Sequence, residues 1–169
     1  MKTVIFYGIF LLGLFWSCTK DEGNNDPTSD EPNFSFQITG EGISKTLSGK
    51  NIVFNSTTID TKDLDGNPIE LNTVVIIAQV KTGDVVEEVL ISITDRTNVN
   101  SGVHPIGTDI LKYYNAFTSY SADSNAGISF KASDGSIDLK TRTSTLVSGS
   151  LNVSAEGAGI KGTFTAPSL

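Results

Sequence analysis

The sequence predicts an all-β protein, an antiparallel β-sandwich or partly open barrel of about eight to ten short strands. Apolar and polar residues alternate with a period of two in several segments, and turn residues separate these segments. No segment after Cys18 carries a helical stripe with caps. With 169 residues, 38% of them hydrophobic, the chain suits one domain of ordinary size behind a short leader.

The strands of the first half follow from this alternation. In residues 34–38 (Phe-Ser-Phe-Gln-Ile) every second residue is apolar, as in a half-buried strand. Residues 74–78 (Val-Val-Ile-Ile-Ala) are apolar throughout, which predicts a central strand covered on both faces. The turn residues of 82–84 precede further alternation up to residue 93, so we predict a hairpin there.

The second half repeats these patterns. The sequence Ser-Asp-Gly-Ser at 133–136 predicts a type I′ turn between strands near Phe130 and Ile137, because Asp-Gly tolerates the positive φ angles of that turn. Residues 156–159 (Glu-Gly-Ala-Gly) predict a second turn, between the last two strands.

Residues 1–17 are predicted to be a lipoprotein signal peptide. Lys2 provides a positive start, and residues 4–16 form an apolar run without charge. As a helix this run would be about 20 Å long, whereas the hydrocarbon core of a bilayer is about 30 Å thick. The run is therefore too short to serve as a permanent anchor.

The end of the apolar run resembles a lipobox, the cleavage motif of bacterial lipoproteins, in residues 14–18 (Leu-Phe-Trp-Ser-Cys). The resemblance implies that a diacylglyceryl group is attached to the Cys18 thiol and that cleavage falls between Ser17 and Cys18. The alternative is an ordinary secretory signal with an incidental cysteine. Residues 19–22 (Thr-Lys-Asp-Glu) resemble the acidic export signal of Bacteroidota surface lipoproteins. That likeness implies an outer-membrane lipoprotein exposed at the cell surface, with a periplasm-facing lipoprotein as the alternative.

Residues 18–32 are predicted to be the lipidated cysteine and a disordered linker, because they hold too little apolar surface to offset the entropy of ordering. As a flexible coil, this linker would span about 20 Å. Residues 33–169 then form a single all-β domain.

The arrangement as a whole resembles small uncharacterised Bacteroidota lipoproteins of the domain-of-unknown-function kind (DUF6252-like). The likeness rests on the leader and on strand-and-turn patterns at residues 127–130 (Gly-Ile-Ser-Phe), 147–149 (Val-Ser-Gly) and 162–165 (Gly-Thr-Phe-Thr). It implies an antiparallel β domain behind a lipidated tether. It implies no activity and no functional residues.

Composition and charge exclude several classes of function. The formal net charge is -7, and an acidic chain without a basic patch does not suit nucleic acid or an anionic membrane surface. Cys18, the only cysteine, precedes the predicted domain, which therefore has no disulfide and no thiol chemistry. His104 is the only histidine, and no nucleophile motif accompanies it. We therefore predict no cofactor and no enzymatic activity.

Four aromatic residues are the candidate ligand-binding residues: Tyr113, Tyr114, Phe117 and Tyr120. Their segment, 110–117, favours a strand, with a helix as the alternative. In a strand, Tyr113 and Phe117 share one face, and Tyr114 and Tyr120 share the other. One face would pack in the core, and the other would offer rings to a glycan or a peptide.

Asp60, Asp63 and Asp65 are the candidate calcium ligands, because they form the densest cluster of side-chain oxygens. An EF-hand loop, however, needs an acidic residue at its first position, and counting back from Gly66 puts Thr61 there. The segment 65–68 (Asp-Gly-Asn-Pro) is therefore better explained as a tight turn than as a metal site.

These observations predict a non-enzymatic binding or display domain, held on the cell envelope by a lipid anchor in the membrane. One alternative is a structural or adhesive surface component that self-associates through strand pairing. A hydrolase is a third, less favoured alternative. The sequence leaves the ligand, the oligomeric state and the strand order open.

Overall fold

The computed structural model describes residues 30–40, 42–122 and 129–169, and no described residue lies in a helix. These residues form twelve strands: β1 (Asn33–Gly40), β2 (Ile43–Gly49), β3 (Ile52–Lys62), β4 (Pro68–Thr82), β5 (Val85–Asp95), β6 (Gly102–Pro105), β7 (Gly107–Asp109), β8 (Tyr114–Ala122), β9 (Ser129–Lys131), β10 (Asp134–Arg142), β11 (Leu146–Ala155) and β12 (Ala158–Pro167). The predicted signal peptide (1–17) and nearly all of the predicted linker (18–32) lie outside the described residues.

The strands form two antiparallel sheets that pack face to face. The first sheet has the order β2-β1-β12-β11-β10-β6. The second has the order β3-β4-β5-β8-β7, and β9 also pairs with β8. Because β5 occupies one edge of β8, β7 and β9 share the other edge, at opposite ends of it. The prediction of an all-β sandwich is confirmed, with twelve strands among the described residues instead of about eight to ten, and the sheets do not close into a barrel.

The core consists of the alternate side chains that the two sheets turn toward each other. In β1 these are Phe34, Phe36 and Ile38, each at most 3% exposed, as the alternation predicts. Aromatic rings dominate this part of the core, since Phe36 stacks on Phe34 at 5.4 Å and lies 6.5 Å from Phe164 of β12. The prediction for 74–78 is only half right, because Val75 and Ile77 are half-buried on the outer face of the second sheet.

Two predicted hairpins are present and one is not. Two-residue turns join β4 to β5 and β11 to β12, at Gly83 (φ 62°) and Gly157 (φ 73°). The predicted turn at 133–136 is wrong, because β10 already begins at Asp134 and belongs to the first sheet, whereas β9 belongs to the second. Gly135 (φ 104°) instead lets the backbone pass against β11, where a Cβ would collide with the Asn152 carbonyl oxygen.

The chain passes directly from one sheet to the other at three corners: β2 to β3, β6 to β7, and β9 to β10. At the first corner, Lys45 of β2 contacts β5, whereas Gly49, later in β2, lies beside Val80 of β4. The β5 partner of Lys45 is Glu87, and Glu87 is paired with Val80 on the neighbouring strand β4. Successive residues of β2 therefore contact successive strands, so β2 runs across the strands of the second sheet rather than along them. The corner between β6 and β7 forms one wall of the candidate site.

Candidate binding site

The segment that contains the predicted aromatic site is a hairpin turn followed by a strand. β7 ends at Asp109, residues 110–113 turn, and β8 begins at Tyr114. The Asp109 carboxylate accepts the backbone N–H groups of Leu111 (3.1 Å) and Lys112 (3.2 Å), which fixes the turn. The strand prediction for 110–117 thus holds only from Tyr114 onward, because this local side-chain capping ends the ladder before it.

Tyr113 occupies a strained position in that turn. It is the one described residue other than glycine with a positive φ, at 54°. Its hydroxyl accepts the backbone N–H of Leu64 at 2.7 Å, and the Arg96 guanidinium lies 5.5 Å from its ring centroid. These contacts hold the tip of the β3–β4 hairpin against the 110–113 turn.

The end of the molecule formed by these two turns exposes an unusual amount of apolar surface. Leu64 is 69% exposed, Ile110 is 66% exposed and Leu111 is 79% exposed. A single exposed apolar side chain is ordinary, but three on two joined turns form a patch of the kind found at interaction sites. We call Leu64, Ile110 and Leu111 the apolar tip.

A groove of about 650 Å³ opens beside the apolar tip, between the loop after β5 and the β6–β7 corner. Apolar surface predominates in its lining, which includes Pro105, Ile106, Leu111 and Tyr114. Charged residues of both signs also line it, namely Asp95, Arg96, Asp109 and Lys112. Size and lining match those of sites that hold small molecules or peptide side chains.

Tyr114 lines the groove and also packs against the core of the sandwich. Its hydroxyl donates to the carbonyl oxygen of Pro105 at 2.6 Å, across the corner. Burial and the nearby charge of Asp95 raise the pKa of Tyr114 to about 12. The neutral phenol is therefore the form that the folded protein favours.

This pKa predicts a stability effect at alkaline pH. A group whose pKa is higher in the folded state contributes stability below its unfolded pKa of 10.0, and that contribution is lost as pH rises toward about 12. We expect the difference in unfolding free energy between the wild type and Tyr114→Phe, measured in urea, to shrink over this interval. A difference that stays constant with pH would refute the assigned role of the hydroxyl.

The other two predicted aromatic residues lie elsewhere. Tyr120 is 1% exposed in the core, so its ring cannot meet a ligand. Tyr114 and Tyr120 are six residues apart in β8, so their side chains point to the same face of the strand, toward the first sheet. Phe117 has the opposite parity and lies half-buried on the outer face, with the Lys131 ammonium 5.0 Å from its ring centroid. The prediction of a ligand site therefore concerns Tyr113 and Tyr114.

Tyr120 takes part in a polar cluster between the sheets. Its hydroxyl donates to the Glu87 carboxylate at 2.6 Å, and the Lys45 ammonium binds the same oxygen. Burial opposes the charge on Glu87, but the bonds from Lys45 and Tyr120 outweigh it and lower the pKa of Glu87. This cluster connects β2 to β5 and β8 and explains why a lysine faces inward on an edge strand.

The acidic segment of the β3–β4 hairpin forms a turn. The Asp63 carboxylate accepts the backbone N–H groups of Asp65 (3.0 Å) and Asn67 (2.8 Å), and these bonds lower the pKa of Asp63. Asp60 lies on β3, where it pairs with Glu70. The part of the chain that the structure describes holds no group of three or more His, Cys, Asp or Glu side chains suited to a metal ion.

Glu87 and Glu88 of β5 and His104 of β6 lie on different faces or strands, and each makes a local contact. Glu87 faces the first sheet, whereas the adjacent Glu88 lies on the outer face and accepts a hydrogen bond from Gln79 at 2.7 Å. His104 lies on β6, and its Nε2 is 2.9 Å from the carbonyl oxygen of Asn100. These three side chains therefore serve local contacts.

A second cleft, of about 340 Å³, lies on the other side of the loop after β5 and has no counterpart among the residues predicted from sequence. Arg142, at the end of β10, is the one charged residue among the described residues that line it. The Arg142 guanidinium donates through Nη2 to Ser56 Oγ at 2.5 Å and through Nη1 to the Thr143 carbonyl, and it lies 5.3 Å from the ring centroid of Phe54. No local motif could indicate this cleft, because Arg142 and Ser56 are 86 positions apart in the chain.

The predicted anchor and the family resemblance remain predictions. Cys18 and Ser17 lie outside the described residues, and among those described no helix is long and apolar enough to cross a membrane. No protein-family model, no curated protein and no solved structure matches this chain.

Proposed function

We propose that this protein is a non-enzymatic envelope lipoprotein whose domain binds a ligand in the groove beside Tyr114. The observation that carries the proposal is the combination of an apolar groove with the exposed side chain of Leu111 on its rim. Buried apolar area is the main source of affinity for peptide side chains and small ligands, and this groove offers it without rearrangement of the core.

The position of the groove suits a tethered receptor. The linker enters at β1, and the groove begins at Pro105 of β6, at the opposite side of the first sheet. Pro105 lies in the same cross-strand row as Gln37 of β1, four strand spacings away. At about 4.8 Å per spacing this distance is about 19 Å. A lipid anchor on Cys18 would therefore leave the groove open to solvent.

The chemistry of the groove favours a peptide with an apolar side chain over a glycan. Sugars are bound through many hydrogen bonds and stacked rings, but the Tyr114 hydroxyl is already bonded to Pro105. Charges of both signs line the groove, and Lys112 is already paired with Asp109 at 3.1 Å, so the charged side chains would contact polar backbone groups of the peptide rather than select acidic residues.

The test is a substitution at the rim. Leu111→Ser should weaken the binding of apolar peptides selected on a peptide array by about tenfold, the loss expected when one well-buried leucine side chain is removed from an interface. Val103→Ser is the matched control, since Val103 is 66% exposed but does not line the groove. Equal loss in both variants, or none in Leu111→Ser, would contradict the proposal.

A second candidate function, self-association through strand pairing, is favoured by the edge of β3. The Leu169 N–H donates to the carbonyl of Phe54 at 2.9 Å, so Phe54 directs its backbone groups away from β4. Ser56, Thr58 and Asp60 have the same parity and direct theirs outward too. The other strand edges have features that hinder pairing with another chain. These are the inward-facing Lys45 on β2, Pro105 on β6, and the length of only three residues of β7 and of β9.

This edge also has a self-complementary register. Two copies paired antiparallel about Ile59, which is 48% exposed, would bring the two isoleucines together and place Asp60 opposite Thr58. No like charges would face each other.

Thr58→Pro tests this pairing, because it removes an outward N–H and leaves the bonds between β3 and β4 intact. We expect the wild type to dimerise in sedimentation experiments and Thr58→Pro to remain monomeric, with Thr58→Val as the control that keeps the N–H. A monomeric wild type at all concentrations would exclude this second function.

A further inference from the structure

We propose that the cleft at Arg142 is a second binding site, for a ligand that carries a carboxylate beside hydroxyl groups, as an acidic sugar does. This inference is independent of the groove at Tyr114. The two sites lie on opposite sides of the loop after β5 and share no lining residue.

The first argument is the state of the Arg142 guanidinium. It forms no ion pair with any described carboxylate. Its Nε is buried and has no hydrogen-bond partner among the described residues. Burial also lowers the pKa of Arg142. A guanidinium without a counter-ion in a partly desolvated position is costly, and a bound anion would offset that cost.

The second argument is geometric. Of the four N–H groups on Nη1 and Nη2, two are used by Thr143 and Ser56, which leaves one on each nitrogen. A guanidinium can bind a carboxylate through two of its N–H groups at once, as a planar fork. The stacking on Phe54 and the bonds to Thr143 and Ser56 hold the guanidinium, and with it the remaining donors, in one orientation.

The third argument is the lining around the fork. It contains hydroxyl and carboxamide side chains, among them Thr58, Asn72 and Asn98, and no acidic residue among those described, in a protein of net charge -7. Thr58 Oγ1 already bonds to Asn72 at 3.3 Å, whereas the Asn98 side chain has no partner among the described residues. Such groups recognise hydroxyls, which a simple anion lacks. The volume lies at the small end of the range for ligand sites and suits a compact molecule.

Isothermal titration calorimetry on the detergent-purified full chain, with glucuronate as the probe, tests the proposal. We expect glucuronate to bind at least about tenfold more tightly than glucose, which lacks the carboxylate, and than acetate, which lacks the hydroxyls. Arg142→Gln and Arg142→Lys should each weaken glucuronate by about tenfold or more, because neither retains the fork. Lys140→Gln, an exposed charge on the same strand outside the cleft, should leave the affinity unchanged.

Arg142 also packs on Phe54, so its substitution removes a packing contact as well as the charge. A second variant therefore tests the cleft with this contact left intact. Asn98 is exposed and has no side-chain partner, and Asn98→Ala should therefore keep the fold while weakening glucuronate several-fold. Absence of glucuronate binding, or acetate binding equal to it, would overturn the proposal. Loss of glucuronate in Leu111→Ser with full binding in Asn98→Ala would also overturn it, since the ligand would then occupy the groove.

Discussion

Gly162→Ala is expected to lower the free energy of unfolding by about 3 kcal/mol, a severe loss for a domain of this size. Gly162 lies in β12, between β1 and β11, where it pairs with Phe36 and Leu151. A Cβ at this position would collide with the Ser35 carbonyl oxygen and lie 2.9 Å from the Phe36 Cα. Both neighbours are backbone atoms of a central strand, so they cannot rotate away.

Gly159→Ala is the matched control for that substitution. Gly159 lies in the same strand, and the nearest atoms to its Cβ would be Val153 O at 3.3 Å and Thr39 Oγ1 at 3.6 Å. The unfolding free energy of Gly159→Ala should stay within about 1 kcal/mol of the wild type. The slightly tight contact of the added methyl destabilises the folded state, but the methyl also lowers the entropy of the unfolded chain, which favours folding. Urea denaturation gives both values. Similar stabilities for Gly162→Ala and Gly159→Ala would contradict the prediction, because the β1 backbone would then have shifted to accommodate the added Cβ.

Cys18→Ala is expected to abolish lipid attachment completely. If Cys18 carries the acyl chains, alanine leaves no nucleophile to receive them, and radiolabelled palmitate should no longer enter the protein. The precursor should also stay uncleaved, since the lipobox resemblance implies that attachment precedes cleavage.

Ser17→Ala is the control, because it keeps a small residue before Cys18 and should retain the label. Electrophoresis with fluorography measures both label and size. Palmitate labelling that persists in Cys18→Ala would refute Cys18 as the site of lipid attachment.

The strands could be predicted from sequence because alternation reports burial directly. Phe34, Phe36 and Ile38 show this, since each repeats at the strand period and each is buried. The short turns at Gly83 and Gly157 were equally local. At Asp134-Gly135 the same local signal was misleading, because a glycine with positive φ serves a turn or a close approach between strands equally well. Which of the two applies depends on strand pairing, which is not a local property.

The candidate sites show the same limit more strongly. The spacing of Tyr114 and Tyr120 predicted a shared face, and they do share one, but the alternation could not say that Tyr120 would be covered by the first sheet while Tyr114 would reach a groove. The position of Tyr113 depends on capping by Asp109, which precedes the aromatic run. Arg142 gave no signal, because its neighbours come from a distant strand and are neutral.

The placement of β1 has a mechanical consequence. The residues that precede the domain join it at Asn33, and β1 is paired along its length with β12 on one side and β2 on the other, through eight and seven residue pairs. A pull on Asn33 along the strand loads both ladders in shear, so their hydrogen bonds must fail together rather than one after another. A strand pulled perpendicular to its axis would instead peel away bond by bond. A domain tethered through β1 should therefore resist high drag forces at a cell surface before it unfolds.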